Sequence, residues 1–513
     1  AKSTLFTHRI ESAIATGNWI GERTGVTQNM DKTNYLAVLS GLQRVSSMLP
    51  GEQENFLART LHPTHYGRFC PVETPEGTEI GLRKNLAILA KISTRADLDS
   101  EKLIKTLVNT GMKKEMESEG SDVFFNGRFI GHVENPVKFV MELREKRRHA
   151  ELPIEMSVRY DRYLNTITIS TEVGRVLRPL IIVQDGNSRL KEEHLDLIEK
   201  NKMKWGDLLN QGIIEYLDAA EEENALVALN PEEISEKHTH LEIDSIDLFG
   251  LVTSLVPYAN HDQSSRLNRG SKTQKQSLGL YAANFLCRMD TDVSILYHPQ
   301  KPIVRSFVYD TLNFYPAGQN LVVAIMTYEG YNTEDALILN KASVERGLGR
   351  SSYFRPYTTT ELHYAGGLAD EICIPEKDTL GYRTEESYRF LEDDGIVYPE
   401  AKLNEGEVVT GKVSPPKFLS EAREITIKTK KESSSVIRQE EKATIDAVFV
   451  TIDAEGNKIV QVRTRDERIP ELGDKFSTSH GQKGVIGAIV PENDMPFTAL
   501  GVKPDIIFNP HSI

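Results

Sequence analysis

Between His62 and Asn85 the sequence reads HPTHYGRFCPVETPEGTEIGLRKN, with three prolines, three glycines and no sustained apolar period. Neither the 3.6-residue repeat of an amphipathic helix nor the alternation of a half-buried strand can be laid over it. Any fold this chain adopts must therefore carry a long irregular segment between ordered elements. Such segments are usually functional or disordered, and Tyr66, Phe69 and Cys70 favour an ordered path here. At 513 residues, 39% of them apolar and 27% charged, the chain is long enough for three or more separate cores.

The flanking patterns are short and mixed. Tyr35, Val38, Leu39, Leu42 and Val45 recur at threes and fours behind the cap-type residues Thr33 and Asn34, which predicts a helix. VFFNGRFIGH reads as a hairpin turning at Asn126-Gly127, FVMELREKRRH as an amphipathic helix and NTITIS as a strand. The acidic runs LDAAEEEN (Leu217 to Asn224) and NPEEISEKH (Asn230 to His238) are expected on solvated helices. From Tyr357 to Arg465 the pattern is β, with NEGEVVTGKV and the hairpin VFVTIDAEGNKIVQVRTR. KTKKESSSVIRQEEK (Lys428 to Lys442) interrupts it and is too polar to bury, so a mobile loop is expected there. The expected class is a multidomain α+β chain of irregular mixed modules with one β-rich part.

Several function classes are disfavoured. The apolar runs fall well short of the roughly 18 residues a membrane helix needs, and AKSTLFTHRI has no basic-then-apolar leader, so the chain reads as intracellular with no membrane partner. Cys70, Cys287 and Cys373 are odd in number and far apart, which argues for reduced thiols rather than a disulfide framework or a zinc knuckle. His62, His65 and Cys70 have no second pair nearby and Pro63 breaks their spacing, which weighs against a metal site. A net charge of -14 and a pI near 5.5 exclude a protein that coats nucleic acid indiscriminately. The charge is uneven, however: Gln263 to Met289 holds five Lys or Arg and no acid.

Three constellations carry chemistry. In GDKFSTSHGQKG (Gly473 to Gly484), Lys475 and Lys483 stand among glycines that let a backbone approach a phosphate, although lysines on a solvated turn would read the same. Arg266, Arg269, Lys272 and Lys275 follow one another at threes, which on a helix steps them about 60° apart into a winding basic stripe. Such a stripe suits a nucleic-acid backbone or a solvated face, but the latter normally interleaves glutamates. In GYNTEDALILN (Gly330 to Asn340), Glu334 and Asp335 adjoin each other before an apolar run. Adjacent carboxylates suit a hard cation such as Mg²⁺ shared with substrate phosphates; they also suit a helix N-terminus, the reading the residues favour by themselves.

In order along the chain, ATGNW, THYGRFCPVETPEGTEIGLRKNL, GRVLRPL, LVPYANHDQSSR, QSLGLY, ILYHPQKP, GYNTEDALILN, GDKFSTSHGQKGVIG and DMPFTALGVKPDIIFNPHSI resemble one family. It is the second-largest, β-like subunit of multisubunit DNA-directed RNA polymerase in its archaeal and eukaryotic form, the archaeal form being preferred. The resemblance implies a nucleotidyltransferase subunit that binds the DNA–RNA hybrid and helps position nucleoside triphosphates. A non-catalytic nucleic-acid-binding paralogue or an assembly fragment is the alternative. Lys475 and Lys483 match lysines that contact the RNA 3′ end and phosphates, with His480 in the same loop. Arg266 matches an arginine near the incoming nucleotide, beside Gln263 and Gln276, with Arg269, Lys272 and Lys275 following as nucleic-acid contacts. Glu334 and Asp335 match an acidic pair beside the second, nucleotide-borne magnesium, and Arg23 and Gln28 match the fork loops.

The implied layout is the end of the protrusion and the fork (1–85), external regions (86–250), a first hybrid-binding part (251–356), a wall or flap (357–465) and a second hybrid-binding part (466–513). Ser265, Leu267 and Arg269 depart from the family's pattern of Pro, Asn and an aromatic. The first magnesium belongs to the largest subunit, whose Asn-Ala-Asp-Phe-Asp-Gly-Asp run this chain lacks, so the chain alone is expected to be inactive. Zinc is expected only in a C-terminal clamp beyond this segment, which the resemblance implies is part of a longer subunit. The implied partners are the largest and smaller polymerase subunits, the DNA template, the RNA transcript and nucleoside triphosphates. The location would be cytoplasmic, with the nucleoid, for an archaeal chain and nuclear for a eukaryotic one.

Overall fold

In the computed structural model, which describes residues 5–21, 25–94, 100–114, 120–364, 367–415, 430–453 and 455–513, helix α1 (Leu5–Thr16) buries none of its residues. Helix α2 (Tyr35–Leu42) starts where expected: the Asn34 side chain accepts from the Ala37 backbone N–H at 2.7 Å. The same amide donates to the Gln274 and Ser277 carbonyls at 2.8 Å each, so this cap also ties two distant stretches together. The irregular segment is ordered. Its Pro63–His65 turn is capped by histidines, with His62 Nδ1 accepting from the Thr64 N–H and His65 Nδ1 from the His62 N–H, both at 3.3 Å. Cys70 is buried with Sγ 3.5 Å from the Thr253 hydroxyl. Arg68, also buried, donates to the Leu217 carbonyl at 3.0 Å and pairs with Glu222 at 2.5 Å, pinning the segment to the sheet beyond it.

Asn126 and Gly127 take φ of 48° and 76°, the left-handed pair a two-residue hairpin turn needs. They join β1 (Ser121–Phe125) to β2 (Arg128–Val133). With β3 (Ser157–Asp161) and β4 (Thr166–Ser170) these form a sheet ordered β2-β1-β4-β3, in which β1 and β4 run parallel. Helix α3 (Pro136–Arg148) buries Phe139, Val140 and Leu143 with residues of this sheet in one core. The neighbouring sheet centres on β5 (Val176–Gln184), which pairs with β6 (Ile214–Leu217). Two short strands, β7 (Val227–Ala228) and β8 (His240–Leu241), extend it, β8 pairing with β5 and β7 with β8, and Lys91–Ile92 and Asn187–Ser188 also pair with β5 to make six strands.

The acidic run from Leu217 is solvated only in part: Glu223 and Asn224 are exposed and Glu222 half-buried, but Asp218 and Glu221 are buried, contrary to the expectation. Glu221 lies fully buried, where its carboxylate receives both terminal nitrogens of Arg147 at 2.6 and 2.9 Å. Glu215 receives Arg147 and Arg148 at 2.6 Å and lies 2.8 Å from His240 Nε2. Burial alone would raise the Glu215 carboxyl, yet Arg147, His240 and Arg148 hold it well below the usual carboxylate range. The sequence hides this because Arg147 stands 68 positions from Glu215 and 74 from Glu221.

The β-rich part is a five-stranded antiparallel sheet. Its long members are β12 (Ser351–Thr360), β13 (Ala443–Ile452) and β14 (Lys458–Arg468), and β9 (Val293–Leu296) and Lys402–Leu403 form its edges. The order is β9, β12, β14, β13 and Lys402–Leu403. The polar stretch after Lys428 is also corrected, for residues 430–442. Lys431–Glu432 pairs with Lys412–Ser414, Ser435–Val436 pairs with Val408–Thr410, and Ile437 is buried in the core. Edge pairing satisfies its backbone, so one buried isoleucine anchors a run that composition reads as a loop.

The last sheet is built from β10 (Val323–Ile325), β11 (Ala336–Asn340), β15 (Lys475–Ser477), β16 (Lys483–Val490) and β17 (Ile506–Phe508), ordered β10-β17-β11-β16-β15. The chain divides into two units, residues 1–28 with 43–271 and residues 29–42 with 272–513. The division falls inside helix α4 (Ser264–Gln276).

Candidate functional site

The two lysines and the acidic pair sit on adjoining parts of the second unit's last sheet. β15 and β16 form an antiparallel hairpin with Ser477 opposite Lys483 and Lys475 opposite Val485. Opposed residues project to one face, as do residues two apart on a strand. Lys475 and Lys483 thus share a face, and both are exposed, whereas Gly484 and Ile486 turn to the core. They are diagonal neighbours, about 7–8 Å apart at the backbone, so both ammonium groups can act on one phosphate chain. Among the described residues, neither ammonium group has an ion-pair or hydrogen-bond partner. The tip is closed by the Thr478 N–H donating to the Gln482 carbonyl at 2.8 Å and by Gly481 at φ 81°. His480 is exposed at this tip.

Glu334 and Asp335 do not open a helix. Ala336 begins β11, a central strand with Leu337, Ile338 and Leu339 all buried, so the capping alternative falls. A short apolar run cannot by itself distinguish a buried strand from a helix. Instead the pair forms a left-handed bend, with φ of 54° at Glu334 and 65° at Asp335. Two consecutive non-glycine residues in this region cost about 1–2 kcal/mol each, and the surrounding hydrogen bonds hold them there. The Ala336 N–H donates to the Thr333 carbonyl at 3.1 Å, and the Val485 N–H donates to the Asp335 carbonyl at 3.0 Å. The acidic bend is therefore fastened to β16, the strand that Lys483 begins. Gly484 permits this approach: a Cβ there would lie 2.9 Å from the Asp335 carbonyl oxygen and 2.6 Å from Leu337 Cγ.

Both carboxylates are exposed and unpaired among the described residues, and no group of three or more metal-ligating side chains occurs among them. Two free carboxylates fit a Mg²⁺ that keeps its waters and is shared with phosphates; they do not fit a closed protein cage.

Helix α4 forms over the basic stripe. Leu267, Gly270 and Ser271 are its buried residues, anchored by Ser271 Oγ at 3.1 Å from the Thr253 hydroxyl. Asn268 donates to the Val72 and Thr74 carbonyls at 2.7 Å each. At about 100° per residue, Arg266 and Lys275 fall on opposite flanks of that buried face, while Arg269 and Lys272 lie behind it. Their exposure agrees: the flanking pair is half-buried and the other two exposed. Arg269 approaches Glu76 at 3.4 Å, so an acid does meet the stripe, from the irregular segment rather than from the helix itself. Leu267 is a core residue, packing with Val256 and Ala259, which explains an apolar side chain there. Ser265, Gln263 and Gln276 are exposed. Gln28 donates from Nε2 to Ser46 Oγ at 3.1 Å, and Arg23 lies outside the described residues.

Two further residues at the acidic bend escape the sequence reading. Asn332 is completely buried, with Nδ2 donating to the Met326 carbonyl at 2.8 Å and Oδ1 accepting from the Tyr328 N–H at 3.0 Å. Asn509, also buried, donates from Nδ2 to the Asn332 carbonyl at 3.0 Å. Both stand inside stretches already singled out, GYNTEDALILN and IIFNPHSI. Nothing in the sequence marks them as a pair, because 177 positions separate them.

Comparison with known proteins agrees across most of the chain. Residues 28–92, 123–184, 205–247 and 252–513 match the family models described as RNA polymerase Rpb2 domain 3, domain 4, domain 5 and domain 6, in that order. DNA-directed RNA polymerase subunit Rpo2 of Sulfolobus acidocaldarius is 45% identical over 100% of this chain and 47% of its own length. Subunit Rpo2 of Saccharolobus solfataricus is 45% identical over 99% of this chain and 47% of its own, and RNA polymerase II subunit RPB2 of Encephalitozoon cuniculi is 36% identical over 100% and 47%. The chain spans about half the length of the curated relatives it matches. With the four domain models in sequence and the largest of them covering 252–513, the chain belongs to the RNA polymerase Rpb2 family.

Proposed function

We propose that this chain works within an assembled DNA-directed RNA polymerase, where it forms one side of the active centre, holds the DNA–RNA hybrid and helps position the nucleoside triphosphate. The observation that carries the reading is the shared open face of Lys475 and Lys483 on a hairpin whose second strand is hydrogen-bonded to the Glu334–Asp335 bend. Unpaired ammonium groups on a rigid hairpin neutralise phosphate charge without reorganising, which is how a preorganised site lowers a barrier. Lys475 and Lys483 bind the RNA 3′ end and phosphates, with His480 at the tip. Arg266, Gln263 and Gln276 orient the nucleotide, and Arg269, Lys272 and Lys275 track the nucleic-acid backbone. Arg23 and Gln28 belong to the fork at the hybrid's downstream edge.

Mg²⁺, held mainly by the largest subunit, supplies charge neutralisation at the transferring phosphate when bound. Glu334 and Asp335 would hold the nucleotide-borne ion through its waters, lending it negative charge without enclosing it. Phosphate contacts carry no base code, so this face acts on any sequence. The five segments named from the resemblance, 1–85, 86–250, 251–356, 357–465 and 466–513, are assigned to fork, external, hybrid-binding, wall and hybrid-binding roles. Partners are the largest and smaller polymerase subunits, template, transcript and nucleotides. The setting is the cytoplasm, with the nucleoid, for an archaeal chain and the nucleus for a eukaryotic one.

The test is Lys483→Ala in the assembled enzyme. Extension is expected to slow severely while the variant still co-purifies with its partner subunits, because the side chain is exposed. An assembly defect as large as the activity defect refutes the reading.

A further inference from the structure

The bend that carries Glu334 and Asp335 is held from behind. Between β10 and β11 the chain passes through Glu329, Gly330, Glu334 and Asp335, all at positive φ, 47°, 81°, 54° and 65°. Only Gly330 adopts that region without steric penalty. A path with three such non-glycine residues needs outside restraint, and the buried contacts supply it. The Asn332 side chain bridges the Met326 carbonyl and the Tyr328 N–H, closing the loop on itself. The Asn332 carbonyl in turn receives the Asn509 amide, which fixes the loop to the end of β17. From the other side, Gly487 leaves room for the Tyr331 carbonyl, which a Cβ would meet at 2.7 Å. The exposed acids therefore stand on a backbone whose buried half is saturated with hydrogen bonds.

We infer that Asn332 and Asn509 are positioning residues for the acidic pair, fixing where the Glu334 and Asp335 carboxylates stand relative to Lys483. Neither asparagine is exposed, so neither touches substrate; both act through the bend. The inference rests on the proposed role of the acidic pair toward the nucleotide-borne Mg²⁺.

The experiment uses assembled polymerase carrying Asn332→Ala, Asn509→Ala or Asp335→Asn. Two quantities are read: the Mg²⁺ concentration for half-maximal single-nucleotide addition, and, without nucleotide, hydrogen exchange of the peptide spanning 326–336. Asn509→Ala removes one bond to the loop and keeps the Asn332 bridges, so it carries the test if Asn332→Ala fails to assemble. The expected result is a three- to tenfold rise in the Mg²⁺ midpoint for both asparagine variants, with faster exchange across the bend. Asp335→Asn should raise the midpoint without faster exchange. Faster exchange and an unmoved Mg²⁺ midpoint in both asparagine variants, while Asp335→Asn moves it, overturns the positioning role and leaves the acidic-pair reading standing. An unmoved midpoint for Asp335→Asn overturns that reading and the inference with it.

Discussion

Gly484→Ala tests how tightly the lysine hairpin is tied to the acidic bend. The new methyl group would lie 2.6 Å from Leu337 Cγ, 2.7 Å from its Cδ2 and 2.9 Å from the Asp335 carbonyl oxygen. Leu337 cannot swing away, because it is 1% exposed and surrounded by Leu339, Val344, Ile486 and Ile506. The carbonyl is backbone, so β16 itself must move off β11. Overpacking of this kind costs about 1–3 kcal/mol, and loss of the hydrogen bond from Val485 to Asp335 adds about 1 kcal/mol. The same movement displaces Lys483, the preceding residue. If half of a ~3 kcal/mol penalty reaches the transition state, extension slows about tenfold. Single-nucleotide addition and thermal melting of the assembled enzyme measure both effects. Gly318→Ala, with nothing within 4 Å of the added methyl and no positive φ, serves as control. Wild-type melting and wild-type extension for Gly484→Ala would show that the sheet does not couple the lysine to the acids.

Glu221→Ala strips the buried Arg147 guanidinium of its bidentate partner and should cost about 3–5 kcal/mol, read as a lowered denaturation midpoint. Burial, with Glu242 and Asp244 close by, pushes the Asp247 carboxyl up to about 7. Its folded form therefore holds a proton that the unfolded chain loses above about 4, and the associated stability is lost as pH rises from there through 7. About 1.4 kcal/mol should disappear between pH 6 and 8, and Asp247→Asn should flatten that slope in melts across the range. Asp335→Val should destabilise the fold by about 1–2 kcal/mol, since a β-branched residue resists positive φ, read as a lowered melting temperature, whereas Asp335→Asn should leave it unchanged. The isolated chain should extend no primer with Mg²⁺, template and nucleotides; robust templated synthesis would remove the dependence on partner subunits.

The legible parts of this fold are those whose cause is local. Asn126-Gly127 states its turn geometry in two residues, and Asn34 states a helix start. The basic stripe is readable because 3.6-residue periodicity is a property of the segment itself. What cannot be read depends on residues distant in sequence. Glu221 looks solvated until Arg147 is brought to it, 74 positions away. Ile437 looks too sparse to anchor a strand until Val409, Ile445 and Val460 share its core. Glu334 and Asp335 look like a helix cap because the apolar run after them has no period long enough to decide; the partners β16 and β17 make it a strand.

Charge is divided by side-chain type as well as by place, which reconciles a net charge of -14 with the phosphate-binding face proposed for this chain. The buried cations are arginines. Arg68, Arg147, Arg178 and Arg463 are each nearly inaccessible and each paired with a carboxylate, several of them also donating to backbone carbonyls. A planar fork of fixed donors suits such bidentate, dehydrated pairing. These arginines neutralise acids inside the fold and leave little field at the surface. The exposed pair on the hairpin is lysine, a flexible and strongly hydrated point charge. At Lys475 and Lys483 no acid stands in direct contact among the described residues, although Glu334 and Asp335 lie on the adjoining bend. A divalent cation between the two groups would draw on the acids, and the phosphates it carries would draw on the lysines. A site with one sign alone could hold only one of them.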